Sequence, residues 1–272
     1  MRHRPTVLIF GGVIYFLSLA VLAAQLNDGQ SAIASAHPTA TSAGFEVLAQ
    51  GGNAFDAAVA VSAALAVVEP MGSGLGGGGF WLLHRASDDF QTMLDGREKA
   101  PAAASRSMYL DQQGKVIDGL SLNGALAAAI PGLPAALVHL AVNYGKLPLR
   151  QSLQPAIRAA DDGFAVYPRY QQLLKFRKPN LNDAAREIFL TRDGDIPSIG
   201  TLIKQPDLAA TLRRLAIGQR DGFYKGETAE KLLHAVSHAG GIWTQADLDN
   251  YRVKERVPVT GNYRGARIVS AA

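Results

Sequence analysis

Arg97 stands in Asp95-Gly96-Arg97-Glu98-Lys99-Ala100-Pro101, just past a predicted strand that adjoins a dense glycine run. A guanidinium presents a planar fork that holds a carboxylate through two parallel hydrogen bonds. Asp95 and Glu98 flank the same residue, and either makes an ordinary surface ion pair with it. Residue type alone leaves both readings open. The histidines offer less. His37, His84, His139, His234 and His238 are dispersed, and only His234 with His238 has helical i, i+4 spacing. Two histidines without a third ligand make a poor metal site, so a helix face is expected there and no metal or cofactor. Cysteine is absent, which removes a thiolate nucleophile and a disulfide framework.

The glycine run needs its own account. Five of the six residues from Gly74 to Gly79 are glycine. Gly72, Gly74 and Gly77 satisfy the G-x-G-x-x-G spacing, but a dinucleotide site needs that spacing after a strand and before a helix. Here the order is reversed. Residues 54–68 are alanine-rich without a breaker and read as a buried helix ended at Glu69-Pro70. Residues 80–84 are short, bulky and apolar and read as a strand. No helix N-terminus then faces a pyrophosphate, and the run is expected to serve close packing or a ligand of another kind.

The elements around these residues follow from their punctuation. Residues 33–36 read as a short strand and 39–50 as a helix stopped by Gly51-Gly52. Asn53 is placed to cap the second helix, with Asp56 in its first turn favouring the dipole. Residues 80–85 and 90–94 flank Ala86-Ser87-Asp88-Asp89 and read as a hairpin. The remainder is mostly helical, with helices over 134–144, 152–162 (Pro155 in its first turn), 206–217 and 228–239. A short helix capped by Thr244 follows. Residues 257–263 and 267–270 form a hairpin about Arg264-Gly265. Trp81 and Trp243 are expected in the core.

The chain has 272 residues and is 48% hydrophobic, enough for a substantial core. A net charge of +4 is spread out rather than patched. The densest cluster, Lys175, Arg177 and Lys178, reads as a solvated helix face and not a nucleic-acid site. At the N-terminus, Arg2, His3 and Arg4 precede an uncharged apolar stretch over 6–24 that ends in small residues. Residues 1–24 are read as a secretory signal peptide or N-terminal anchor, and 25–32 as a linker. The bulk of the chain is then periplasmic or extracellular and touches a membrane only through that segment.

The order of motifs resembles the γ-glutamyltranspeptidase family. Gly51-Gly52-Asn53-Ala54-Phe55-Asp56-Ala57-Ala58, Val68-Glu69-Pro70, Gly76-Gly77-Gly78-Gly79-Phe80 and Arg97-Glu98-Lys99-Ala100-Pro101 open the match. Ile130-Pro131-Gly132, Asp162-Gly163-Phe164, Phe223-Tyr224-Lys225-Gly226, Asp247-Leu248 before Tyr251, and Tyr263-Arg264-Gly265 continue it. The resemblance implies an α/β fold: part of an αββα sandwich of the N-terminal-nucleophile hydrolase type, with residues 33–272 as an incomplete large-subunit domain. It implies a γ-glutamyl substrate such as glutathione, and as partner a small subunit cut from the same precursor. That subunit's N-terminal threonine, with its own amine as base, forms the acyl-enzyme. The chain holds no Thr-Thr pair, so no catalytic residue is assigned within it and the fragment alone is expected to be inactive. Arg97 matches the family arginine that grips the substrate α-carboxylate. Related cephalosporin acylases, poly-γ-glutamate-processing enzymes, and an inactive tethered remnant are the alternatives.

Overall fold

The computed structural model describes residues 31–272. The predicted signal over 1–24 and most of the 25–32 linker lie outside the described residues. The chain divides after Ala32, and the unit Ile33–Ala272 carries the elements below.

Helices α1 (Pro38–Ala49) and α2 (Ala54–Val68) form the predicted pair, and α2 falls on its predicted bounds. The Asn53 side chain accepts from the Phe55 and Asp56 N–H groups, and Asp56 accepts from the Asn53 N–H at 2.9 Å. This reciprocal box satisfies donors that a helix start leaves free. Because α2 is apolar around most of its circumference, it can be covered from several sides. It packs against α1, α3 (Leu133–Asn143) and α4 (Leu149–Asp162). Asp56 does more than favour the dipole. Fully buried, it also accepts from the Lys146 and Leu147 N–H groups at 2.8 and 3.2 Å, tying down the loop after α3.

Strands β1 (Gly79–Arg85) and β2 (Phe90–Gly96) make the predicted hairpin, with Phe80 opposite Asp95 and Trp81 opposite Leu94. After α4, β3 (Phe164–Ala165) pairs with β4 (Leu202–Ile203), and α5 (Pro168–Arg177) and α6 (Asp183–Phe189) lie between them. Helices α7 (Pro206–Gly218), α8 (Asp221–Tyr224), α9 (Gly226–His238) and α10 (Gln245–Asn250) follow. Strand β5 (Lys254–Arg256) then returns to pair with β2, giving an antiparallel sheet in the order β1-β2-β5. Helix α3 packs on β2, and Leu83 and Leu94 join the helical core. The alternation of β1 leaves Phe80, Leu82 and His84 exposed. The last elements are β6 (Val259–Tyr263) and β7 (Ala266–Ser270), turned by Arg264 and Gly265 at φ 49° and 79°. Two successive positive φ values are what a tight hairpin turn requires.

Several expectations need correction. Residues 33–36 pair with no strand. Instead the Ser35 hydroxyl donates to the His37 carbonyl, beside the cap of α1. Helix α4 begins at Leu149, so Pro155 sits inside it rather than in its first turn. Trp81 and Trp243 are half-buried rather than core, their indole N–H groups reaching Ser62 and the Ala128 carbonyl. Strand β5, Lys-Glu-Arg, was not foreseen because its own residues carry no strand pattern and β2 supplies the pairing.

Candidate functional site

Arg97 is the first residue beyond β2, and its side chain emerges where three backbone segments cross. A Cβ at Gly78 would collide with the Gly96 carbonyl oxygen and lie 2.9 Å from both the Arg97 Cα and the Glu98 nitrogen. One at Gly132, the N-cap of α3, would overlap the Gly96 oxygen and the Tyr251 hydroxyl. The Gly77 carbonyl accepts from the N–H groups of Gly132 and Leu133, each at 2.9 Å. Lys99 and Ile130 exchange backbone bonds on the far side of the crossing. The glycine run is a packing device at Gly78, where backbones approach too closely for a side chain, while a Cβ at Gly74 or Gly76 would meet open space. It runs from the end of α2 into β1, the reverse of a nucleotide cradle.

The peptide of Arg97 is held at both ends. Its N–H donates to Asp95 at 3.1 Å, and its carbonyl accepts from the Tyr251 hydroxyl at 2.8 Å. The Arg97 side chain is 56% exposed, with Nη1 3.1 Å from Glu98 and the guanidinium carbon 6.0 Å from the Phe80 ring centre. It borders a cleft of about 390 Å³ whose other walls are the 70–74 segment, Gly77, Gly78 and Trp81. Ser62 and Ser73 also reach this cleft, but its lining contains no histidine to serve as their base. Arg97 is the one cation of that lining and Glu98 its one carboxylate.

Electrostatics leave that guanidinium available. Burial opposes ionisation of Asp95, yet the Arg97 N–H and the Arg256 guanidinium together hold its carboxyl below the usual range. Asp95 is thus spent on Arg256, whose Nε and Nη2 lie 2.9 and 2.8 Å away. Among the described residues the one charged partner of the Arg97 side chain is Glu98. Glu98 is only 22% exposed, but its partner is more than half in solvent, and ion pairs open to water are worth about 0–1 kcal/mol. A ligand carboxylate that offers two charge-assisted hydrogen bonds displaces Glu98 at small cost.

A second cleft, about 590 Å³, lies between Leu75-Gly76 and helices α7 and α9. Three of its charged residues are already paired, since Glu227 binds Arg214 at 3.2 Å and Lys231 at 2.6 Å. None of the five histidines considered above lines the Arg97 cleft. His139 pairs with Glu255 on β5 at 2.7 Å, and His234 and His238 lie 5.2 Å apart on α9. Lys175 and Arg177 occupy the last turn of α5, both exposed. Tyr251 and Arg256 are the site residues that sequence reasoning missed. Tyr251 stood inside a motif, but nothing local ties it to a carbonyl 154 residues earlier.

Comparison with known proteins gives consistent findings. The family model Gamma-glutamyltranspeptidase matches residues 40–272. A glutathione hydrolase proenzyme of Pseudomonas sp. (strain A14) is 44% identical over 244 residues, covering 88% of this chain and 42% of that protein. The chain thus spans less than half the length of this relative. The crystal structure of Helicobacter pylori γ-glutamyltranspeptidase superposes with a TM-score of 0.85 at 41% identity, covering 88% of this chain and 69% of that one. A cephalosporin acylase from Bacillus halodurans aligns at a TM-score of 0.73 and 31% identity, covering 86% of this chain and 44% of that one.

Proposed function

Because the chain belongs to the γ-glutamyltranspeptidase family, we propose that it is the large-subunit part of an exported γ-glutamyltransferase or glutathione hydrolase. The observation that carries this reading is Arg97, a guanidinium rigid at its root, open to a cleft and opposed by one weak partner. In this reading Arg97 takes the α-carboxylate of a γ-glutamyl substrate such as glutathione. The γ-carbonyl is thereby presented to the N-terminal threonine of a small subunit from the same precursor. The threonine amine accepts the hydroxyl proton, the oxygen attacks the γ-carbonyl, and the leaving amine departs with a proton. Water or an amino acid then resolves the acyl-enzyme. Residues 31–272 supply binding and orientation, and the small subunit supplies the nucleophile.

Two further features support the reading. The exposed sheet face carries Phe80 and Leu82, 51% and 46% exposed, as apolar surface for the small subunit to cover. Residues 1–24, as a secretory signal or N-terminal anchor, direct the chain to the periplasm or cell exterior. No helix of the described residues is long and apolar enough to cross a membrane.

The test compares Arg97→Ala with wild type in the full-length precursor on two substrates. One is a γ-glutamyl anilide; the other is the 4-aminobutanoyl anilide, which lacks the α-carboxylate. With substrate and small subunit covering Arg97, loss of the charge-assisted pair costs about 2–5 kcal/mol, so kcat/KM on the first should fall at least about 30-fold. The second should change little, and self-cleavage should survive. Equal kinetics of variant and wild type on the γ-glutamyl anilide would overturn the assignment.

A further inference from the structure

We infer that the Tyr251 hydroxyl is a positioning group for Arg97, setting the direction in which the guanidinium leaves the backbone and hence the grip on the substrate carboxylate. The inference rests on the reading of Arg97 given above. Tyr251 is 2% exposed, and its hydroxyl donates to the Arg97 carbonyl at 2.8 Å. Burial, with Asp95 and Glu98 nearby, raises its pKa to about 12, so it remains a neutral donor across the physiological range.

The ring is fixed as firmly as the hydroxyl. It stacks on Tyr224 with 5.7 Å between centres and 7° between planes. Tyr224 is anchored in turn, its hydroxyl donating to the Pro131 carbonyl at 2.8 Å and accepting from the Ala135 N–H at 3.3 Å. Arg220 lies over the Tyr224 ring and donates to the carbonyls of Leu248, Asp249 and Tyr251. The Lys99 ammonium sits 5.1 Å from the Tyr251 ring centre and donates to the Arg252 carbonyl.

The consequence is geometric. The 97–98 peptide has no regular secondary structure to hold it, since β2 ends at Gly96. Asp95 fixes the N–H side of Arg97 and Tyr251 fixes the carbonyl side. Without the hydroxyl the Arg97 carbonyl loses its hydrogen bond, and a small tilt of that peptide is carried out along the long side chain rooted on it. A fork that must meet a carboxylate on two atoms tolerates displacements of only about 0.5 Å. Tyr251 therefore acts on substrate binding through Arg97 and touches no reacting atom.

The experiment uses the full-length precursor and Tyr251→Phe, which keeps the stack and removes only the hydroxyl. On the γ-glutamyl anilide, KM should rise about tenfold with kcat within about twofold, the scale of one lost hydrogen bond. On the 4-aminobutanoyl anilide and in self-cleavage the variant should match wild type. In the Arg97→Ala background, Tyr251→Phe should add less than about twofold, because coupled residues are not additive. Tyr170→Phe, which removes another buried hydroxyl, one bonded to the Phe189 carbonyl and not to Arg97 or Tyr251, should leave KM near wild type.

Equal losses on both anilides, additive losses in the double variant, a KM effect as large in Tyr170→Phe, or failure of Tyr251→Phe to accumulate would each overturn the inference. A normal Tyr251→Phe beside an impaired Arg97→Ala overturns this inference alone. A normal Arg97→Ala overturns it together with the reading of Arg97.

Discussion

Arg97 joins two properties that seldom coincide: its peptide is clamped by Asp95 and Tyr251, while its guanidinium stays more than half in solvent. Free rotation of a long side chain is entropically costly to arrest, and a fixed root lowers that cost when the ligand arrives. Shape then decides between charge and fork. Arg97→Lys keeps the positive charge but not two parallel donors. Measured as kcat/KM on the γ-glutamyl anilide, Arg97→Lys should recover less than about tenfold of the loss seen in Arg97→Ala. Near-complete rescue by lysine would mean that the carboxylate is held by a point charge alone. The weak Glu98 pair fits the same picture, because a strong resident partner would compete with every substrate carboxylate.

At the scale of elements, two carboxylates bolt the scaffold behind the site. Asp56 is fully buried and serves the start of α2 and the loop after α3 together. Asp56→Ala removes the carboxylate acceptor of three partly buried backbone donors, and a donor left unsatisfied costs about 1–3 kcal/mol. Chemical denaturation of the full-length protein should therefore show a loss of at least about 2 kcal/mol. A loss below about 0.5 kcal/mol would mean that water takes over these bonds. Glu255 joins β5 to the end of α3, accepting from the Tyr144 hydroxyl and pairing with His139. The Tyr144 bond first, and His139 second, hold its carboxyl below the ordinary value of 4.5. A depressed pKa means stability that is present above 4.5 and is lost as pH falls through the folded value. Tyr144 titrates at the other end. Burial, then Glu255, raises it from 10.0 to about 12, so its contribution is complete below about pH 10 and is lost as pH rises beyond that. Glu255→Gln should therefore lower Tm at neutral pH, with the gap from wild type closing as pH drops below about 4.5. A gap independent of pH would show that packing, not charge, holds β5. The effect should be modest, because the Glu255 side chain is partly exposed.

For the whole molecule, the sheet is covered by helices on one face and shows Phe80 and Leu82 on the other. The hairpin of β6 and β7 is almost entirely exposed, with Val259, Tyr263 and Ile268 in solvent. Exposed apolar surface and unpaired strand edges promote association. Residues 31–272 expressed alone should therefore aggregate or elute as mixed oligomers. They should also show no turnover of a γ-glutamyl anilide above an unrelated exported protein, since the nucleophile is proposed to lie in the small subunit. A monodisperse, cooperatively melting and active preparation would refute both expectations at once.

Local chemistry made much of this architecture legible. Asn53 and Asp56 announce the start of α2, Glu69-Pro70 its end, and Arg264-Gly265 the final turn, because caps and turns are set by residues within four positions of one another. Helix–glycine–strand order likewise ruled out a nucleotide cradle, and the ordered motifs pointed to the family and to Arg97. Tertiary structure decided the rest. Strand β5 exists because β2 pairs with it, and Pro155 lies within α4 because packing extends that helix back to Leu149. Asp95 turns to Arg256, 161 residues away, and so leaves Arg97 to Glu98 and the cleft. Tyr251 reaches the Arg97 carbonyl because β5, which follows it, pairs with β2. Contacts of that kind depend on which surfaces meet when the apolar faces are buried, and no window of neighbouring residues encodes the meeting.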